Sequence, residues 1–307
     1  MNESGNEALR WGIPLLLGVL WGQLFWALHP TWIHGQYYDY GWIVAPVTAW
    51  FFWRRWCADE ISTPLVSGNQ KGPIVLILLA SAVLISGLIL ARIMERFDPI
   101  WRVPLILHGF LIFSFTVLTF WISLGRKKAF IYLPLLLFAM TAVPWPAQTE
   151  NYLIGEMTAR LLEISAPLSR LIGIPVELSG SALIANGRVI QIDEGCSGIR
   201  SFQSLLMAGL FVGEFMMLRN RFRIVLLVLA IVFGFVTNTL RAITLTWIFF
   251  NEGEAAFDQA HDMVGFCAFG LAAGLLLLSG HFLDRWSEIG PVEREEEAKS
   301  PEDDKTG

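Results

Sequence analysis

Long apolar runs separated by short polar segments dominate this chain. A helix that crosses a membrane needs about 20 apolar residues, because it rises 1.5 Å per residue through a hydrocarbon core of about 30 Å. Eight stretches reach or approach that length, namely residues 11–28, 40–53, 73–90, 104–124, 129–144, 199–218, 224–250 and 261–283. We therefore expect an all-α polytopic membrane protein with about eight transmembrane helices.

The composition agrees with this class. Hydrophobic residues make up 54% of the 307 residues and charged residues only 16%, which excludes an ordinary soluble domain. Most of the net charge of −5 comes from residues 290–307, which hold seven acidic and three basic side chains. We expect a membrane-embedded domain over residues 1–285 and an acidic, disordered cytoplasmic tail over residues 286–307. No basic patch indicates a nucleic-acid partner.

Lysine and arginine residues cluster on alternate loops, and this pattern predicts the orientation. The clusters lie at residues 54–55, 126–128 and 219–223 and at Arg285. Because positively charged loops stay in the cytoplasm, we expect a multi-pass protein of the inner, or cytoplasmic, membrane with both termini cytoplasmic. The segments that we expect outside are 29–39, 91–103, 147–198 and 251–260. Three arginines in the second of these are the one signal against this orientation.

The longest outer segment, residues 147–198, is too polar to span the membrane and has its own periodicity. Apolar residues recur at intervals of three and four from Leu153 to Leu171, which is typical of an amphipathic helix in the membrane interface. Asn186 and Gly187 separate two short runs with high β-propensity, which predicts a β-hairpin with a type I′ turn. We expect a structured extracytoplasmic loop made of this helix and hairpin.

A cysteine follows the predicted hairpin. Cys57, Cys196 and Cys267 are too scattered to form a disulfide framework or a metal site. Gly195 and Ser197 leave Cys196 uncrowded, and Ser197 is a plausible N-cap for the next helix. A helix N-terminus favours a thiolate. The alternative interpretation of a lone cysteine is a small, buried apolar residue.

Two more polar residues are conspicuous in the last two spans. Arg241 within an apolar run costs several kcal/mol unless it is paired or reaches water. Asn238 lies three residues earlier, so the two share a polar face that we expect to point into the helix bundle; the alternative is an arginine that reaches lipid headgroups. His261 begins the last span, where a histidine can also be a simple helix-end residue. Four carboxylates could orient the histidine or pair with an arginine, and spacing leaves the choice open: Asp193, Glu194, Asp258 and Asp262.

The thiol, guanidinium and imidazole all fall at the predicted outer membrane boundary, on three consecutive helices. A nucleophile, a general acid or base, and a fixed positive charge for an oxyanion are what acyl transfer requires. Cys196, Arg241 and His261 are therefore the candidate catalytic residues. This chemistry needs no metal or cofactor, and no group of residues in the sequence is spaced as metal ligands.

At these residues the chain resembles the exosortase/archaeosortase family of integral membrane enzymes. The matching motifs are Cys-Ser-Gly-Ile at 196–199, Asn-x-x-Arg at Asn238 and Arg241, and His-x-x-x-Gly at His261 and Gly265. The resemblance covers most of residues 10–285. One departure is Tyr40-Gly41, where members of the family often have His-Gly.

The resemblance implies a Cys, Arg and His catalytic set at the three positions above, with supporting roles for Ser197, Arg200, Asn238 and Gly265. It implies that the substrates are secreted or membrane-anchored proteins with a C-terminal sorting signal. Such a signal has a short motif such as Pro-Glu-Pro, one transmembrane helix and a basic end. The cleaved protein is then transferred to a cell-surface acceptor, such as a polysaccharide or a lipid. Membrane lipid surrounds the enzyme itself.

Three alternatives remain at this point. The same residues could serve a purely hydrolytic membrane cysteine protease. A transporter or channel could use Arg241 as an anion site, although the polar groups cluster at one membrane face and no inverted repeat is visible. A non-catalytic assembly protein or chaperone would tolerate substitution of Cys196 and His261.

Overall fold

A computed structural model describes residues 3–34, 37–58, 71–180, 182–185, 187–191 and 198–299. Within these ranges the chain forms eight helices and three strands. The helices are α1 (Glu3–His34), α2 (Gly41–Ala58), α3 (Lys71–Phe97), α4 (Arg102–Met140), α5 (Ala147–Leu171), α6 (Ile199–Phe215), α7 (Asn220–Glu252) and α8 (Glu254–Lys299). The strands are β1 (Val176–Ser179), β2 (Ala182–Ala185) and β3 (Arg188–Gln191).

The fold class is that of an all-α polytopic membrane protein, as the apolar runs predict. Five of the described helices contain segments long and apolar enough to cross a membrane: Trp11–His34, Val75–Phe97, Arg102–Met140, Asn220–Glu252 and Glu254–Trp286. Each of the eight predicted spans falls largely within a helix. The helices α2 and α6 are shorter than these five segments, with 18 and 17 residues.

The helix α4 contains two of the predicted spans, because the chain turns back within it. Gly125 has φ +82° and ψ 164°, so the helix is interrupted there. Phe120 and Tyr132 flank this break, and their ring centroids lie 4.9 Å apart. A straight helix would separate these two residues by about 18 Å. The two parts of α4 therefore pack side by side as a helical hairpin.

The described residues group into two compact units, Met1–Glu150 and Asn151–Gly307. In the first unit, α1 and α2 pack on α4 and α3 packs on α4. Aromatic rings fill the contact between α2 and α4: Phe52 stacks on Phe120, and Phe51 meets Phe138 edge-on. The two parts of α4 thus form the centre of this unit.

A buried polar cluster connects three segments of the first unit. Glu150, in the first turn of α5, accepts hydrogen bonds from the Tyr38 hydroxyl and from Arg102 Nη1, the latter at 2.7 Å. The Tyr38 oxygen also accepts a hydrogen bond from the Trp145 backbone N–H. Burial, together with the Glu150 carboxylate, raises the pKa of Tyr38, so its phenol stays protonated. Three segments that we predict to lie on the extracytoplasmic side of the membrane therefore meet at one end of this unit.

In the second unit, α5 packs on a small antiparallel sheet of order β1-β2-β3. Ala185 pairs with Arg188, which confirms the hairpin predicted around Gly187; the neighbouring Asn186 lies outside the described residues. The strand β1 was missed by the sequence analysis, because its four residues, VELS, are half polar. The core beneath the sheet contains side chains from α5, the strands and α7: Leu162, Ala166, Ile174, Val176, Leu183, Ala185 and Phe249.

The helix α8 extends further than the sequence predicts. It continues to Lys299, beyond the predicted span of residues 261–283. That residues 286–307 form a disordered tail stays a prediction. The boundary that we place at residue 285 stays a prediction, and residues 300–307 lie outside the described ranges.

A buried ion pair fixes the turn between α6 and α7. Arg223 Nη1 lies 2.7 Å from Glu214 Oε2, and the two side chains are 7% and 0% exposed. Arg223 Nε also donates to the Leu218 backbone carbonyl at 2.7 Å. Because both side chains are buried in the protein, removing one of them leaves an unpaired buried charge, which destabilises the fold.

Replacing Glu214 by alanine should therefore destabilise the protein strongly. We expect a loss of about 3–5 kcal/mol in the free energy of unfolding, because Arg223 would remain buried without its carboxylate. Denaturant unfolding in detergent measures this. The matched control is Glu163→Ala, which breaks the exposed Arg160–Glu163 pair and should change stability by about 0.5 kcal/mol or less. Equal effects of the two changes would contradict the prediction.

Candidate active site

A helical hairpin made of α7 and α8 brings two of the predicted site residues into contact. The helices are joined by the single residue Gly253, which has φ +89°. Arg241, on α7, and His261, on α8, lie twenty positions apart in the chain, yet Arg241 Nη2 lies 3.0 Å from His261 Nε2. The two helices pack closely along their length. The structure thus places the guanidinium against the imidazole, as the sequence analysis expects.

Both ring nitrogens of His261 have polar partners. A guanidinium can only donate, so in the contact with Arg241 the Nε2 atom accepts. The other ring nitrogen, Nδ1, lies 3.2 Å from Asp262 Oδ1. The His261 side chain is 27% exposed, so a substrate can reach it.

Of the four carboxylates left open by spacing, Asp193 and Glu194 lie outside the described residues, so the choice among all four stays open. The structure does show a contact for Asp262. Its carboxylate meets His261 directly, although it is 88% exposed and in water contributes only weakly. Phe257, one turn earlier on α8, places its ring 5.9 Å from the imidazole, and it also packs on Phe249. Phe257 was not predicted from the sequence, although its four-residue spacing from His261 is a usable signal.

Gly265 forms part of the surface beneath Arg241. A Cβ at this position would lie 3.5 Å from Arg241 Cζ, which is an ordinary van der Waals distance. The guanidinium therefore rests against the backbone one turn after His261. A side chain larger than alanine would push Arg241 away from the histidine.

Asn238 connects α7 to the start of α6. It is buried, and a Cβ on Gly198 would lie only 2.5 Å from Asn238 Nδ2. Gly198 is the N-cap residue of α6, with φ +84°, and α6 has no side-chain cap. The prediction that Ser197 is the N-cap is therefore wrong. The chain enters the helix through a left-handed residue beside a side chain, and only glycine fits both conditions.

The structure describes only part of the remaining candidate set. Cys196 and Ser197 are both outside the described residues. Arg200 is exposed in the first turn of α6. In the part of the chain that the structure describes, no group of three His, Cys, Asp or Glu side chains could hold a metal ion.

Gly198→Ala should destabilise the fold. A left-handed backbone costs a non-glycine residue about 1–2 kcal/mol, and the clash with Asn238 adds to this cost. Gly173→Ala is the matched control, because Gly173 has φ +88° in the turn that ends α5, and an added Cβ there meets nothing within 4 Å. Thermal unfolding in detergent should show a larger loss for Gly198→Ala. If both variants lose the same stability, the contact with Asn238 has no energetic role.

Comparison with known proteins identifies one matching family. A family model described as transmembrane exosortase (Exosortase_EpsH) matches residues 32–278 of the chain. No curated protein and no solved structure matches it. The matched range covers most of the chain and includes the positions of the cysteine, arginine and histidine singled out above. The chain therefore belongs to the transmembrane exosortase family, which confirms the resemblance drawn from its motifs.

Proposed function

We propose that this protein is a membrane cysteine transpeptidase that cleaves C-terminal sorting signals through an acyl-enzyme on Cys196. The observation that carries the proposal is the contact between Arg241 and His261, together with the packing of Asn238 on Gly198. Asn238 precedes Arg241 by one helical turn. One short stretch of α7 is thus in contact with α8 on one side and with the start of α6 on the other.

Covalent geometry supports a role for Cys196 in the same site. Cys196 is two residues from Gly198, and two residues of chain span at most about 7 Å. Gly198 in turn touches the side chain of Asn238. The nucleophile is therefore tethered close to the helix that carries Arg241. The N-terminus of α6 adds partial positive charge that favours the thiolate.

The proposed first step transfers the protein substrate to sulfur. His261 Nε2 accepts the proton of the Cys196 thiol, and Arg241 Nη2 leaves the imidazole to bind the substrate carbonyl oxygen. The sulfur attacks the carbonyl carbon, and Arg241 stabilises the oxyanion of the tetrahedral intermediate. As the C–N bond breaks, protonated His261 gives its proton to the leaving amine. A thioester between Cys196 and the substrate results.

The second step releases the product. An amine or hydroxyl of a polysaccharide or lipid attacks the thioester carbonyl, with neutral His261 taking its proton. The C–S bond breaks and the returned proton restores the thiol. If water is the acceptor, the same residues perform hydrolysis, and the product has a free carboxylate.

The substrate class is the one that the family resemblance implies, and the membrane setting suits it. A sorting signal with its own transmembrane helix and basic end holds the cleavage motif at the membrane surface. Because the substrate is confined to the membrane plane, its cleavage motif is already oriented toward the enzyme. A soluble enzyme must obtain this orientation from a deep pocket. We place this chemistry on the extracytoplasmic face of the inner membrane, where the loops that carry few positive charges lie.

A co-expressed reporter tests the proposal. It consists of a secreted domain, a Pro-Glu-Pro motif, an apolar helix of about 20 residues and an arginine cluster. We expect wild-type protein to shorten the reporter and to form a hydroxylamine-sensitive adduct on the peptide that contains Cys196. Mass spectrometry of the new C-terminus distinguishes transfer, which leaves an added group, from hydrolysis. Absence of both cleavage and adduct would contradict the proposal.

A further inference from the structure

The first unit contains an open apolar groove of about 530 Å³ between α1, α2 and α4. Its α1 wall runs from Trp11 to Phe25, a length of about 21 Å along the helix. Among the residues that the structure describes, those that line the groove are uncharged. Arg54, on α2, instead lies over Trp50 and Phe51, which are not part of the lining. The groove therefore suits an elongated molecule or chain segment that carries no charge.

Small residues shape both walls of this groove. Gly18 and Gly22 lie four residues apart on α1, and Ala45 and Ala49 lie four apart on α2. An added Cβ at Gly18 or Gly22 would meet nothing within 4 Å. Pairs of small residues at this spacing let another helix backbone approach closely in a membrane. An acyl chain needs no such spacing.

A buried hydroxyl in the lining points to the same kind of occupant. Thr48 is 9% exposed, and within the described residues its Oγ1 has no hydrogen-bond partner. It lines the groove between Ala45 and Ala49. Buried polar groups normally have partners. A polypeptide helix offers side-chain hydroxyl and carbonyl groups, whereas a hydrocarbon chain offers none.

The concave shape of the groove favours a helix from a separate protein over a second copy of this chain. A two-fold dimer requires one surface to complement itself, but this surface is concave. A separate single helix fits it better than a second copy of the chain. We propose that the groove binds the transmembrane helix of the sorting signal, an inference that rests on the proposed function.

Photocrosslinking of the Cys196→Ala protein, which should retain uncleaved reporter, tests this proposal. A benzophenone amino acid placed at Gly18, Gly22 or Ala49 should crosslink to the reporter helix in membranes. The matched position is Gly12, an exposed α1 glycine with the same open surroundings that does not line the groove. Crosslinks only to lipid, or only to a second copy, would overturn the proposal.

Filling the groove gives a second measurement. Gly18→Leu combined with Gly22→Leu should lower reporter crosslinking from position 49, and reporter cleavage, by about tenfold or more. Gly12→Leu should change neither. If the leucine pair cleaves normally while Cys196→Ala does not, the groove proposal fails and the proposed chemistry stands. If the reporter crosslinks in the groove but wild-type protein never cleaves it, the groove stands and the chemistry fails.

Discussion

Cys196→Ala should abolish cleavage of the reporter while the protein still accumulates in the membrane. Removal of a catalytic nucleophile lowers kcat by about 10⁴-fold or more, because no other group can form the acyl-enzyme. The chain offers matched controls in Cys57 and Cys267, which are free, exposed cysteines. Cys57→Ala and Cys267→Ala should cleave at the wild-type rate.

The measurement is the fraction of reporter shortened over time, in membranes that contain equal amounts of each variant. Normal cleavage by Cys196→Ala would remove the thiol from the mechanism. Loss of cleavage in all three variants would point to general damage instead. The hydroxylamine-sensitive adduct should disappear only from the Cys196 variant.

Arg241→Lys should lower kcat by about 10²–10³-fold, the cost of losing one oxyanion donor in other enzymes. Lysine keeps the charge but cannot reproduce the planar guanidinium that now reaches His261 Nε2. Crosslinking of the reporter should stay unchanged, because the arginine acts on the transition state rather than on binding. A kcat within about twofold of wild type would contradict the proposed role.

Arg221→Lys is the control for this substitution. Arg221 lies in the first turn of α7, over the Phe222 ring, at the opposite end of the helix from Arg241. This change should leave both cleavage and crosslinking unaltered. Unfolding in detergent should confirm that both lysine variants fold. Lower cleavage by Arg221→Lys would show that the assay reports helix stability instead.

The positions of the helices were predictable where a long apolar run specifies a membrane span. A lipid environment leaves few choices for such a run, so all eight spans lie largely in helices. Details that depend on one backbone angle or on tertiary contacts were not predictable. Whether β1 pairs with β2 depends on the register Val176 to Ala185, which no local pattern specifies.

For the candidate site, Arg241 and His261 could be singled out from the sequence, but their contacts could not, and Cys196 lies outside the described residues. Arg241 and His261 were conspicuous because polar groups in apolar spans are expensive, and they do meet. The contact of Asp262 with His261 could not be read from spacing, and Asp193 and Glu194 lie outside the described residues. The approach of Asn238 to Gly198 was equally invisible, because it joins residues forty positions apart.

The one-residue connection at Gly253 has a consequence for how the chain can change. Each residue of an α-helix advances by about 100° around its axis. An insertion or deletion of one residue between α7 and α8 would therefore swing the imidazole to another face of the last helix, away from the guanidinium. This connection is therefore constrained in length as well as in identity, since its one residue has a backbone angle that favours glycine.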